Sequence, residues 1–173
     1  PNLIGGIVLS YIWLMIFNSV LSNFSKTIVS TQWYAFWGMI IVVCWQQIGY
    51  MMIIYIAGIQ NIPGELIEAA KIDGANSWQL LRYVTLPMLM PTITICTFLT
   101  LTNGFKLFDQ NFALTGGNPA KMSQLLALNI YDTMYGTTGW QGVGQAKAVI
   151  FFILVAVIAL IQNKLTTSKE VQD

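Results

Sequence analysis

The sequence predicts an all-α membrane protein, a multi-spanning helical bundle with one charged loop set between apolar spans. Three observations carry that expectation. Of 173 residues, 55% are hydrophobic and only 9% charged, and the mean hydropathy is +0.64. Soluble domains carry about a quarter charged residues, so this chain has too little charge to keep a surface of its size in water. Long apolar runs recur along the chain, and about twenty residues rising about 1.5 Å each cross a hydrocarbon core of about 30 Å. Several Trp and Tyr fall near the ends of those runs, as interfacial belts require.

The first expected span is 3–21, which is free of charge and carries Gly5, Gly6 and Ser10 as small surfaces for close helix packing. The chain opens directly into this run, with no charged n-region and no small-residue cleavage site, so it does not read as a signal peptide. A polar connector, 22–32, follows. The second expected span is 33–59, with Trp33, Tyr34 and Trp37 at its start and the pair Gln46-Gln47 in its middle. Polar groups at that depth are expensive unless they face protein or water. The pair reads either as an interhelical hydrogen bond or as part of a wall that touches solute.

Residues 60–86 form the charged loop. Glu65, Glu68, Lys71, Asp73 and Arg82 fall here. Pro63 suits a helix start, and Asp73-Gly74 ends a short helix at 64–72, because glycine adopts the left-handed conformation without steric cost. Asn76 or Ser77 caps a second helix at about 77–85. Pro87 opens the third expected span, 87–105, where Pro91 sits in the first turns at little cost. Thr92, Thr94, Thr97, Thr100 and Thr102 supply hydroxyls for backbone or cross-helix bonds. A long loop, 106–145, holds the turn cluster Leu114-Thr115-Gly116-Gly117-Asn118-Pro119 and then an amphipathic helix from Met122 to Tyr135. The fourth expected span is 146–162, with Lys147 placed to snorkel, and the polar tail 163–173 is expected to be loosely ordered.

Most chemistry is excluded by what is missing. Histidine is absent, and the two cysteines, Cys44 and Cys96, lie inside apolar runs and read as buried small hydrophobes rather than a metal or disulfide pair. No phosphate-binding GxxxxGK[ST] loop occurs. The eight Lys/Arg are scattered, which argues against nucleic acid. Glu65, Glu68 and Asp73 neighbour cations and read as solvated or interface-paired carboxylates rather than an acid/base pair. The expectation is no enzyme, no metal and no cofactor.

The charged loop has a pattern of its own: Glu68-Ala69-Ala70, three residues, Gly74, nine residues, Val84, one residue, Leu86-Pro87. It resembles the EAA loop of permease subunits of binding-protein-dependent ABC importers, departing only in Val84 where that family has Ile. The resemblance implies that Glu68, Ala69, Ala70, Asp73, Gly74, Leu86 and Pro87 form a cytoplasmic coupling knob docked into an ATP-binding subunit. Small Ala69 and Ala70 would let the partner approach closely, with Leu80, Leu81 and Val84 packing the second helix against the membrane part. Ile72-Asp73-Gly74-Ala75, the Leu114–Ala120 turn and Ile130-Tyr131 are similar to the sugar branch (maltose, glycerol-phosphate and oligosaccharide permeases), with Asn118 replacing a third glycine. Pro1-Asn2-Leu3, Ile12-Trp13 and Phe17-Asn18 resemble that branch more weakly, and the chain looks like a C-terminal portion of such a permease.

The resemblance also implies partners: cytoplasmic ATP-binding subunits, a second and different permease subunit, and an external solute-binding protein that docks on 106–145, which otherwise reads as a lid over the bundle. It implies a multi-pass place in a bacterial plasma membrane. Lys71, Arg82, Lys164 and Lys169 would then lie inside, against Lys26, Lys106, Lys121 and Lys147 outside. That even balance leaves orientation to the resemblance. Gln46, Gln47, Tyr50, Asn103 and Lys106 are the candidates for the solute path. A polyamine or amino-acid permease is the alternative within the same class, and a non-transporting membrane scaffold the alternative outside it.

Overall fold

The structure, a computed structural model, describes residues 1–167 and is all helix and connector, with no strand among the described residues. In chain order the elements are α1 (Gly6–Ser22), α2 (Gln32–Gln60), α3 (Gly64–Ile72), α4 (Ser77–Leu80), a π-helical turn (Leu81–Thr85), α5 (Leu86–Met88), α6 (Met90–Phe105), α7 (Phe108–Leu114), α8 (Leu126–Tyr135) and α9 (Gln141–Thr167). By length and hydropathy α2 and α9 are long and apolar enough to cross a membrane. α1 is apolar but has only 17 residues, about 25 Å. The chain divides into two compact units, one of residues 1–49 with 103–155 and the other of 50–102 with the described residues from 156 onward.

In the first unit the core is Leu9, Met39, Val42 and Leu114, with Trp13, Leu14, Phe17 and Leu125 packed on it. These residues come from α1, α2, α7 and the approach to α8. Lipid tails are as apolar as leucine, so inside a bilayer such a cluster is held by close fit and dispersion rather than by expulsion of water. Two glycines make the fit possible. A Cβ on Gly6 would lie 2.7 Å from Asp109 Cβ, and one on Gly38 would lie 2.5 Å from Ile28 Cδ1. Ile28 is 2% exposed, so the connector 22–32 plugs this one side chain into the helices while most of its other residues stay exposed. Asn18 Oδ1 accepts the Ile28 N–H at 3.0 Å and fixes that insertion.

In the second unit the expected third span differs from 87–105. The chain runs Ser77–Met88, bends by 66° at Leu89, and continues as α6. The cause is the pair Pro87 and Pro91. Pro91 has no N–H for the Pro87 carbonyl, and Pro87 has none for Tyr83, so the ladder loses two rungs on one side. The chain adapts by widening: Leu86 N–H reaches back to Leu81 carbonyl, the five-residue reach of a π turn. Pro91 therefore ends up at a bend rather than in an uninterrupted helix, and the second loop helix is four residues of α followed by the π turn rather than one helix over 77–85.

Five further differences matter. The long loop 106–145 contains α7, which had no expected helix, and α8 begins at Leu126 rather than Met122. α9 starts at Gln141, ahead of the expected 146, and runs through Thr167. Residues 163–167 of the expected loose tail are thus helical, while 168–173, including Lys169, lie outside the described residues. Cys96 is buried, but Cys44 is exposed, a correction to its reading as a buried hydrophobe. It borders an apolar cavity of about 170 Å³ with Phe36, Met39, Ile40, Val43, Leu107 and Leu125.

Candidate coupling loop, solute path and outer segment

The charged loop is a knob of two short helices whose junction is fixed by backbone bonds. α3 ends in a Schellman motif. Gly74 N–H bonds the Lys71 carbonyl at 3.0 Å and Ala75 N–H bonds the Ala70 carbonyl at 3.0 Å. That closure needs a left-handed residue, and Gly74 has φ +81°. One residue beyond Ala75, Asn76 caps α4 reciprocally: its Oδ1 accepts Gln79 N–H at 2.9 Å and its own N–H donates to Gln79 Oε1 at 2.9 Å. A stop and a start placed back to back leave no free hinge between the helices. Glu65 lies in the first turn of α3 and Lys71 in the last, each sign favoured by the helix dipole there.

The faces of the knob are open. Glu68, Ala69, Asp73 and Gly74 are exposed, Ala70 is half-buried, and a Cβ on Gly74 would meet nothing within 4 Å. Among the described residues Glu65, Glu68, Lys71, Asp73 and Arg82 make no ion pair, since the one such pair joins Lys121 and Asp132. Leu86 is exposed and Pro87 half-buried. Leu80 and Val84 are half-buried, in line with a packing role, while Leu81 is 46% exposed and does not share it.

The path candidates separate by their bonding. Gln46 is 7% exposed. Its Oε1 accepts from Gln110 Nε2 at 2.9 Å, and its Nε2 approaches the Ile4 carbonyl at 3.5 Å. Its amide is therefore committed to holding α7 and the start of the chain against α2. Gln47, one residue on, is half-buried, and its Oε1 is buried without a hydrogen-bond partner among the described residues. Tyr50 and Lys106 are exposed and Asn103 is half-buried.

Residues 106–147 contain two polar networks that the sequence alone does not single out. Asn111, fully buried, donates to Thr115 Oγ1 at 2.9 Å and to Ser123 carbonyl at 2.8 Å, and accepts Leu125 N–H at 2.8 Å. Ser123 Oγ donates to Asn118 carbonyl at 2.6 Å. One amide thus ties the Gly116-Gly117 turn to the start of α8. The second network runs from Lys147, which donates to Asn129 Oδ1 at 2.9 Å and Thr133 Oγ1 at 2.8 Å. Asn129 donates to Gln124 Oε1 at 3.0 Å, and Gln124 to Asp132 Oδ2 at 2.6 Å. Lys147 is half-buried and bonded rather than snorkelling. A carboxamide-rich turn and an Asn-x-x-Asp-Thr face on α8 were the available signals, but the partners are 14 to 18 residues apart in sequence.

The chain resembles known proteins along nearly its whole length. Residues 2–169 match the family model "Binding-protein-dependent transport system inner membrane component". The chain is 50% identical to the "Probable starch degradation products transport system permease protein AmyD" of Thermoanaerobacterium thermosulfurigenes, over 99% of this chain and 61% of that protein. It is 34% identical to the "Multiple sugar-binding transport system permease protein MsmF" of Streptococcus mutans, over 99% of this chain and 62% of that one. The chain thus spans about three-fifths of these relatives' length. A solved structure, described as a bacterial ABC transporter involved in the import of the acidic polysaccharide alginate, shares the fold with a TM-score of 0.81 and 21% identity, covering 97% of this chain and 62% of that one. The family match over 2–169, the two long apolar helices and the shared fold lead to one conclusion: the chain belongs to the inner membrane components of binding-protein-dependent transport systems.

Proposed function

We propose that the chain acts as a permease subunit of an ABC importer in a bacterial plasma membrane and moves a sugar or oligosaccharide inward. ATP would be hydrolysed by separate cytoplasmic subunits, and the knob at 65–87 would receive their motion. The observation that carries this reading is the hinge-free, exposed junction at Gly74–Asn76, with Glu68, Ala69 and Asp73 exposed beside it and the two carboxylates in no ion pair among the described residues. A knob with no internal hinge transmits displacement as a unit. The π turn and the 66° bend that follow connect it to α6, so movement of the knob would swing that helix. Orientation follows: the knob inside, 22–32 and 106–145 outside, with the outer segment offered to a solute-binding protein and a second, different permease subunit completing the pathway.

The sugar assignment is supported by relatives whose names refer to starch degradation products and multiple sugars. Gln47, Tyr50, Asn103 and Lys106 would contribute to the solute path, and Gln46 would support the wall from behind. The unpartnered Gln47 Oε1 is the kind of acceptor a sugar hydroxyl satisfies.

The experiment is uptake of labelled maltose and maltotriose by the complete transporter in proteoliposomes, with sugar-stimulated ATP hydrolysis measured in parallel. Glu68→Lys and Gly74→Asp should each lower both rates at least tenfold while membrane insertion is unchanged. Wild-type rates in both variants would remove the coupling assignment. A wild-type transporter that takes up a polyamine or amino acid but no sugar would remove the substrate assignment.

A further inference from the structure

The outer segment carries an aromatic ladder that neither the core nor the coupling loop uses. Phe108 and Phe112 stack at 5.5 Å between ring centroids with planes 18° apart. Tyr131 leans on both, at 5.1 and 6.0 Å, and Tyr135 continues the series at 5.0 Å from Tyr131 with planes tilted by 45°. Tyr131 and Tyr135 are four residues apart and so share one face of α8. Phe112 and Tyr131 are each 40% exposed and Tyr135 is 71% exposed.

Three features distinguish this ladder from ordinary packing. It is preorganised: Tyr131 is wedged against two phenylalanines, and α8 is pinned from its other side by Lys147 through Asn129 and Thr133. Neither tyrosine hydroxyl has a hydrogen-bond partner among the described residues. It is also bordered by polar groups: Asp132, three residues before Tyr135 and so its neighbour on the surface of α8, pairs at 3.7 Å with Lys121, whose side chain is 71% exposed. Ring faces beside free hydroxyls, a carboxylate and an ammonium form a mixed surface. A pyranose ring matches it, with apolar C–H faces for the rings and a rim of hydroxyls for the polar border. An apolar protein anchor or a lipid tail would leave the two tyrosine hydroxyls unpaired.

We propose that Tyr131 and Tyr135, flanked by Asp132 and Lys121, form a carbohydrate-stacking platform that holds one sugar unit of a neutral oligosaccharide at the outer face of the permease. The proposal rests on the reading of the chain as a sugar permease. It adds a site outside the spans to the path candidates within them.

The test uses the complete transporter in nanodiscs and proteoliposomes, with maltotriose as the probe. Tyr135 touches only Tyr131 within the ladder, so Tyr135→Leu spares the packing of α8. Tyr135→Leu should raise the half-saturating maltotriose concentration roughly three- to tenfold, and Tyr135→Trp should stay near wild type. Affinity of the solute-binding protein for the transporter should not change. Saturation-transfer NMR should carry magnetisation from aromatic protons to sugar C–H protons in wild type and lose it in Tyr135→Leu. Unchanged uptake in Tyr135→Leu, or a loss that tracks weaker docking of the binding protein, would overturn the platform. So would a Trp variant as impaired as the Leu variant. If wild type imports no sugar yet shows the Tyr135-dependent transfer, the platform stands and the import reading falls. If the transfer is absent from wild type as well, both fall.

Discussion

The Lys147 ammonium donates to Asn129 Oδ1 at 2.9 Å, binding the start of α9 to the middle of α8. A half-buried cation whose hydrogen-bond acceptors among the described residues are neutral oxygens is unusual, because burial normally demands a carboxylate. Here the carboxylate stands three hydrogen bonds away. Asn129 and Gln124 pass the polarisation on to Asp132, each donating to the next. Cutting the chain at Lys147 leaves Asn129 Oδ1 without its donor, which costs about 1–2 kcal/mol. Lys147→Met should therefore speed amide hydrogen exchange in 126–135 by roughly 5- to 30-fold and leave exchange in α3 and α4 unchanged. Equal exchange in wild type and variant would mean that packing alone holds α8.

Asn111 holds the neighbouring turn. Replacing it with Leu strips the partners from Leu125 N–H, Ser123 carbonyl and Thr115 Oγ1 at once. Each buried group left unpaired costs about 1–3 kcal/mol, though Thr115 Oγ1 still accepts from Ser123 Oγ. A net loss of roughly 2–4 kcal/mol is expected, read as a lower thermal unfolding midpoint of the purified protein in detergent. A midpoint within error of wild type would show that the knot contributes no stability.

Close helix approach at glycines gives a graded prediction. A Cβ on Gly38 meets the far end of Ile28, which can rotate away. A Cβ on Gly58 meets Thr92 through Oγ1, Cβ and Cγ2, the whole head of a side chain that is stiff at χ1. Gly58→Ala should thus destabilise by about 1–3 kcal/mol and Gly38→Ala by clearly less. Parallel unfolding of the two variants checks the order, and the reverse order would contradict the packing at Thr92.

The parts of this fold that were legible in the sequence are those decided locally. Gly74 and Asn76 announce a stop and a start through their own backbone and side-chain chemistry, and both occur where the residue types indicate. Long apolar runs likewise gave α2 to within a residue or so at each end. The bend at Leu89 was not read, because each proline looks harmless alone and only the Pro87–Pro91 spacing removes two adjacent rungs. α7 was missed for a related reason: seven residues carry too little periodicity, and its buried Gln110 and Asn111 look like loop residues until Gln46 and Ser123 are brought to them. Cys44 shows the limit of composition, since an apolar run says nothing about which side of a helix finds a neighbour.

Gln46 and Gln47 provide the sharpest separation of support from contact. Both amides lie mid-helix in α2, but one is bonded to Gln110 and the other has a buried oxygen with no donor. Gln46→Leu should lower stability by about 1–3 kcal/mol, the cost of leaving Gln110 unpaired, with little change in half-saturating sugar concentration for the protein that folds. Gln47→Leu removes an unsatisfied acceptor, so stability should hold or rise slightly. If that acceptor meets a sugar hydroxyl, half-saturation should rise by about fivefold to tenfold, as expected for about 1–1.5 kcal/mol of lost hydrogen bonding. Thermal unfolding and maltotriose uptake, measured on both variants in the complete transporter, distinguish the roles. A Gln46 variant that is stable but impaired in uptake, beside a Gln47 variant with unaltered uptake, would exchange the two assignments and place the solute on the α7 side of α2.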